Sequence, residues 1–239
     1  MAGQRNVCYN GGKQRGEESF VSSKCGECMF EKRYCRTADG KHIDDCATVH
    51  HTAEIEAAKQ EYLKEEISAF AREASLQERA CYGDCPDKEG VNMPLKPRVV
   101  EIIEFCHRMG YKKLGVAFCG GLHREAARFV QVLKGAGFEV VSAMCKVGGV
   151  DKSFIGVDGE GKICGGGHET MCNPIGQAKI LNAEGTEFNI LLGLCVGHDS
   201  LFLKYSDAMC TVFAVKDRLM GHNPLAAIYT MDSYYKYLK

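Results

Sequence analysis

Apolar residues along this chain fall into two rhythms. From Thr52 to about Arg79, Ile55, Tyr62, Leu63, Ile67, Phe70 and Ala74 recur at steps of three and four, with Glu and Lys between them. That period predicts one long amphipathic helix. Thr52 suits its N-cap, and Glu54 and Glu56 suit the positive end of its dipole. Cys81 to Pro97 reads as loop, punctuated by Gly83, Asp84, Pro86, Gly90, Pro94 and Pro97.

Beyond Pro97 short apolar runs alternate with amphipathic stretches. The pattern predicts a helix over Arg98–Arg108 closed by Gly110, a strand over Lys113–Cys119, and a helix over His123–Lys134 ended by Gly135 and Gly137. A second strand covers Phe138–Cys145, and a glycine-rich loop covers about 146–170. Asn173 and Pro174 open a helix to Ala183, with proline at its first position. A strand over Phe188–Cys195, a short helix over Ser200–Tyr205, a strand over Ala208–Val215 and a helical turn or two over Asn223–Thr230 complete the series. The strands are almost continuously apolar, as strands buried on both faces are. Alternation of such strands with helices predicts a three-layer α/β domain, a parallel sheet with helices on both faces.

Ahead of the helices the pattern fails. Residues 1–24 are polar and without period, a loose arm. Residues 25–51 hold four cysteines among charged and turn-forming residues, with little to build a core. Such a segment needs another source of order, and a bound metal supplies one. The expected organisation is therefore a cysteine-rich, metal-stabilised N-terminal part with its long helix over residues 1–94, and an α/β metal-binding domain over 95–239.

Composition sharpens this. The 239 residues are 45% hydrophobic, enough for one sizeable core. The formal net charge of −1 gives no reason to expect nucleic acid or an anionic membrane as partner. The first twenty residues contain no apolar signal-peptide core, and no run approaches the roughly 18 apolar residues of a membrane span. A cytoplasmic location is expected, where thiols stay reduced. There the 14 cysteines read as metal ligands or redox groups rather than disulfide partners.

Three predicted strands end in cysteine: Cys119, Cys145 and Cys195. Cys172 stands just before a predicted helix. In a parallel sheet the carboxyl ends of the strands share one edge, and ligands bind there. The long loop would have to carry Cys172 to the same edge. A buried core role is the alternative for each thiol, but three strands ending alike, each followed by loop, argue for a site. Cys119 precedes Gly120-Gly121, Cys145 precedes Lys146-Val147-Gly148-Gly149, and Cys195 precedes Val196-Gly197-His198-Asp199. Glycines there permit close backbone approach, and their N–H groups suit cluster sulfurs. No G-x-G-x-x-G follows a strand and no phosphate-binding G-x-x-x-x-G-K-[ST] occurs.

Cys25-x2-Cys28-x6-Cys35-x10-Cys46 makes a second tetrathiolate, fit for zinc or an iron–sulfur cluster. Cys81 and Cys85 are weaker candidates to join either site. Cys8, Cys106, Cys164 and Cys210 read mainly as bystanders, with Cys164, beside three glycines, the nearest to a functional place. His198 and Asp199 are candidates for metal ligation or acid–base work, or for capping the next helix. His222 reads as a turn, His50 and His51 as a solvated helix start, and His168 as loop.

KLGVAFCGGL, CKVGGVDKS, MCNPIGQAKILN, LLGLCVGHDSLFLKYSDA and VKDRLMGHNPLAAIY, in that order over about residues 95–231, resemble a family of conserved, uncharacterised proteins of anaerobic bacteria and archaea predicted to bind metal. The family's motif cysteines correspond to Cys119, Cys145, Cys172 and Cys195. The resemblance implies metal binding and supplies no reaction. Together these readings favour an iron–sulfur cluster, [4Fe-4S] in type and one or two in number. It would serve a redox or Lewis-acid enzyme acting on a small molecule, or exchange electrons with a carrier protein. The alternatives are a zinc-binding, non-catalytic module, and a thiol enzyme centred on Cys172.

Overall fold

The computed structural model describes residues 22–239. Cys8 and most of the expected arm lie outside the described residues. The chain divides into two compact units, Met1–Ala69 and Phe70–Lys239. The boundary expected from the sequence lies later, between residues 94 and 95. The second unit begins earlier because Phe70 already belongs to its core, with its ring 5.2 Å from Phe105 and 6.3 Å from Phe188.

In the first unit, a single turn at Cys25–Glu27 and an isolated parallel bridge between Arg33 and Lys41 precede helices α1 (Ala47–His50) and α2 (Thr52–Tyr62). Only Cys46 is buried there among the described residues. The long helix expected over 52–79 is two helices, α2 and α3 (Glu65–Ala80). Leu63 N–H bonds the Gln60 carbonyl at 3.2 Å and Lys64 N–H the Glu61 carbonyl at 3.1 Å, which closes α2. Tyr62 and Leu63 remain exposed, so no packing at this point holds the helix continuous.

The second difference is a hairpin where loop was expected: β1 (Tyr82–Cys85) pairs antiparallel with β2 (Lys88–Pro94). Pro86 and Asp87 make its connection. Both strands are largely exposed, so backbone pairing forms them and no hydrophobic alternation announces them.

The remaining elements follow the predicted order: α4 (Arg98–Arg108), β3 (Lys113–Phe118), α5 (His123–Gly135), β4 (Glu139–Met144), α6 (Pro174–Ala183), β5 (Phe188–Leu194), α7 (His198–Tyr205), β6 (Met209–Val215) and α8 (Leu225–Tyr229). The sheet is parallel throughout, in the order β4-β3-β5-β6. One face carries α4 and α5: Ile102, Phe105, Phe129 and Leu133 pack on Leu114, Val116, Phe118, Ile190 and Leu192. The opposite face carries α6 and α7: Ala178, Leu181 and Phe202 pack on Ala117, Ala143, Leu191 and Leu194. The alternation of Val116 and Ala117 between the two faces is the period-two rule of a strand, and the three-layer α/β architecture results. No helix among the described residues is long and apolar enough to cross a membrane.

The connections set up the site. The chain leaves β3 to build β4 on one side, then returns to build β5 on the other. The strand order therefore reverses between β3 and β5, where an open α/β sheet forms its ligand crevice.

Candidate metal centre

Each of three strands stops one residue before its cysteine. Cys119 N–H still bonds the Leu192 carbonyl at 3.1 Å, and Cys145 N–H the Phe118 carbonyl at 2.8 Å. The thiols are thus the first side chains past the sheet, at a level fixed by the ladder. Cys119 and Cys145 pack on the α6/α7 face together with Cys172.

Cys172 arrives by a hairpin-like return of the long loop. Lys152 N–H bonds the Glu169 carbonyl at 2.9 Å and Met171 N–H the Val150 carbonyl at 2.8 Å. Asp151 holds the loop together: its carboxylate accepts from Ser153 N–H and Lys162 Nζ at 2.8 and 2.9 Å, and from Glu169 N–H at 2.6 Å. These bonds hold its carboxyl well below the ordinary range. Asn173 then caps α6 by accepting from Gly176 N–H at 2.8 Å, while its own N–H bonds the Cys145 carbonyl at 2.7 Å. The Cys172 and Cys145 sulfurs stand 3.9 Å apart.

Gly120 N–H points at the Cys145 sulfur at 3.3 Å. A side chain on Gly121 would stand 3.9 Å from the Cys119 sulfur and 3.6 Å from Lys216 Nζ. A hydrogen bond with Cys145, the Gly121 N–H and the Lys216 ammonium pull the Cys119 thiol well below its ordinary value. A bond with Cys145, then Lys146 and His198, does the same for Cys172. Cys145, between the two, is pushed up and keeps its proton. Arg218 donates to the Cys195 sulfur at 3.2 Å. Charge supplied around the four thiols thus comes from Lys146, Lys216 and Arg218, none of which the sequence reading singled out. Lys216 is the first residue past β6, so the rule that found Cys119, Cys145 and Cys195 also locates it.

Among the other candidates, His198 begins α7, and its buried Nδ1 finds no hydrogen-bond partner among the described residues. Asp199 accepts from Ser200 N–H at 2.8 Å. Both backbone N–H groups bond the Cys195 carbonyl, at 2.9 and 3.2 Å. Gly148, Gly149 and Gly197 take positive φ in the turns after Cys145 and Cys195. His222 also has positive φ, and its Nδ1 accepts from Asp217 N–H at 3.1 Å, closing the turn that presents Arg218.

Other cysteines lie elsewhere. Cys106 is fully buried in α4, and burial pushes its thiol up to about 12. Cys81 donates to the Gln77 carbonyl at 3.0 Å. With Cys210 it lines a cavity of about 400 Å³ beside Phe188, at the amino end of β5 and so away from Cys195. Cys85 sits half-exposed on the hairpin, and Cys164 is exposed in the long loop.

In the first unit, Cys28 N–H bonds the Cys25 carbonyl at 3.3 Å, which closes the C-x2-C turn. Lys24 N–H bonds the Asp45 carbonyl at 3.2 Å, setting the positions before Cys25 and Cys46 side by side. Arg33 Nε bonds the Cys28 carbonyl at 3.1 Å, and Cys35 lies in the turn that follows. Cys25 and Cys35 are exposed, Cys28 half-exposed and Cys46 buried. Among the described residues of either unit, no three His, Cys, Asp or Glu side chains are spaced to hold one metal ion.

The family model described as "Protein of unknown function (DUF1847)" matches residues 46–213. An uncharacterised protein of Methanocaldococcus jannaschii is 45% identical over 207 residues, covering 87% of this chain and 94% of that protein. No solved structure matches.

Proposed function

Given that the chain belongs to this family of unknown function, DUF1847, we propose that it is a metal-cofactor protein whose sheet edge holds an iron–sulfur cluster on Cys119, Cys145, Cys172 and Cys195. The observation that carries this reading is the set of cysteines gathered where the strand order reverses, with Lys146, Lys216 and Arg218 placed on their sulfurs' side of the sheet. Thiolates are soft donors, which narrows the choice to zinc or iron–sulfur.

The origin of the ligands favours the larger group, since the thiols come from separate strand ends and a loop, among glycines that admit a bulky ligand. A tetrahedral zinc thiolate with bonds of about 2.3 Å brings every sulfur pair to about 3.8 Å. Cys145 and Cys172 stand 3.9 Å apart, a separation that either group accepts. A cluster takes one thiolate per iron and so accepts more widely spread sulfurs.

A cluster bound at this edge supplies one-electron transfer, or Lewis acidity if one iron lacks a protein ligand. The chain's own residues do the rest. Lys216 and Lys146 favour the deprotonated thiols that ligation requires. Gly120 and Gly121 direct N–H groups at sulfur, and Arg218 donates to the Cys195 sulfur. His198, whose buried Nδ1 finds no hydrogen-bond partner among the described residues, acts electrostatically on Cys172 and would hold or move a proton there. The partner of such a site is a small-molecule substrate or an electron-carrier protein. Cys25, Cys28, Cys35 and Cys46 are proposed as a second tetrathiolate, whose metal would order a segment with almost no core.

Anaerobic purification followed by an absorption spectrum and iron, zinc and acid-labile sulfide analysis tests the reading. A brown protein with matched iron and sulfide, bleached by Cys119→Ala, Cys145→Ala, Cys172→Ala or Cys195→Ala, is expected. A colourless protein with stoichiometric zinc would overturn it in favour of the zinc-binding module.

A further inference from the structure

Cys145 and Cys172 differ from each other as two members of a cooperating pair do. Cys145 is 3% exposed, whereas Cys172 is half-exposed. Their sulfurs are 3.9 Å apart, and the bond from Asn173 N–H to the Cys145 carbonyl, 2.7 Å long, fastens the two backbones side by side. A disulfide bond is about 2.05 Å long. Closing the gap therefore takes roughly 2 Å of sulfur movement, within reach of side-chain rotation.

Hydrogen bonds of the chain itself hold the loop that joins the pair. The intervening loop is fastened by Asp151, by the paired stretches at 150–152 and 169–171, and by Lys146 Nζ bonding the Thr170 carbonyl at 2.6 Å. Cys119 is held differently. It continues the β3 ladder directly beside Cys145, whose own N–H is committed to Phe118. Cys195 is covered by Arg218.

We propose that in the chain without its cofactor Cys172 and Cys145 form a dithiol–disulfide couple that exchanges with low-molecular-weight disulfides. Cys172, the accessible sulfur, attacks one sulfur of the external disulfide and breaks its S–S bond, releasing one thiol. The Cys145 sulfur, passing its proton to the departing thiolate, then attacks the Cys172 sulfur of the mixed disulfide, forming the internal S–S bond and expelling the second thiol. The protein sulfurs lose two electrons, the external disulfide gains them, and the two protons leave on the released thiols. The couple stands on the sulfur geometry. Its consequence, that oxidation withdraws two of four ligands and closes the site to cofactor, rests on the reading proposed above.

The test uses the full chain, stripped with chelator and reductant, desalted anaerobically and titrated with glutathione disulfide. Intact mass should fall by two hydrogens, and peptide mapping should join the peptides carrying Cys145 and Cys172. Cys145→Ser should stop at a glutathione adduct on Cys172, and Cys172→Ser should give neither adduct on Cys145 nor internal bond. A bond to Cys119 or Cys195 instead, or an unmodified Cys172 in Cys145→Ser, would overturn the couple. Iron and sulfide assays on untreated protein answer the cofactor question separately. A chain that binds iron but forms no 145–172 bond refutes only the couple, and one that forms the bond but binds no iron refutes only the cofactor.

Discussion

Gly193 lies one residue before the end of β5 with φ of +69°, where pairing with β6 slips between Leu192 and Leu194. It is the extra residue of a bulge, and it turns the strand just ahead of Cys195. A Cβ at this position would fall 2.1 Å from Leu122 Cδ1. Two costs therefore add in Gly193→Ala. The left-handed backbone costs an L-residue about 1–2 kcal/mol. Displacing Leu122, itself buried, costs about 1–3 kcal/mol as overpacking. The sum, about 2–5 kcal/mol, is a large part of the roughly 5–15 kcal/mol that keeps a domain folded. Urea unfolding followed by circular dichroism measures it. The steric part has its own signature. Leu122→Ala alone should destabilise by about 2–5 kcal/mol, yet in the Gly193→Ala background it also removes the clash, so the double variant should be more stable than additivity predicts by about 1–3 kcal/mol. Additivity within about 0.5 kcal/mol, or a loss below about 1 kcal/mol for Gly193→Ala alone, would refute the argument.

Phe202 is fully buried between α7 and the sheet, so Phe202→Ala should cost about 3–5 kcal/mol in the same unfolding assay. Asp151 has its carboxyl depressed first by Ser153 N–H and then by Lys162, below the unfolded value of 3.8. A folded value below the unfolded one means that its stabilisation is complete above about pH 3.8 and fades as the pH falls further. The protection factors of the Ser153 and Glu169 amides, taken relative to their intrinsic exchange rates, should therefore fall on acidification below that point, and Asp151→Asn should remove that fall. Cys106, buried and pushed up to about 12, should resist iodoacetamide at neutral pH in the folded chain and react only after unfolding. With a cluster bound, Lys216→Met removes a positive charge beside Cys119, so the reduced state is less favoured and the reduction potential should fall in a spectroelectrochemical titration.

Hydrophobic pattern revealed what packing had written into it. Asn173 and Pro174 marked the start of α6 to the residue, since cap and proline are both local chemistry. The apolar runs of β3 and β5 were legible because both faces of those strands are covered. The exposed hairpin left no such trace, and Pro86 and Gly90 pointed to turns without showing the strands around them. Nothing in Tyr62-Leu63-Lys64 announced the break between α2 and α3, because the missing element was packing rather than a residue. At the edge, the strand-end rule located Cys119, Cys145 and Cys195, but cysteine drew attention that Lys216 deserved equally. Gly193 hid inside an apolar run, since a strand's φ is invisible in its composition.

The strand order β4-β3-β5-β6 also fixes when the site can exist. β3 meets β4 across one helix, but meets β5 only after the chain has gone out and back through α5, β4, the long loop and α6. Closing the longer loop carries the greater entropic cost, so β5 joins late. Until then Cys195 and Lys216 are far from Cys119, and the edge has three of its four thiols. If the proposed cofactor binds there, a complete four-thiolate site would report that the sheet is finished, and its loading would act as a checkpoint on assembly.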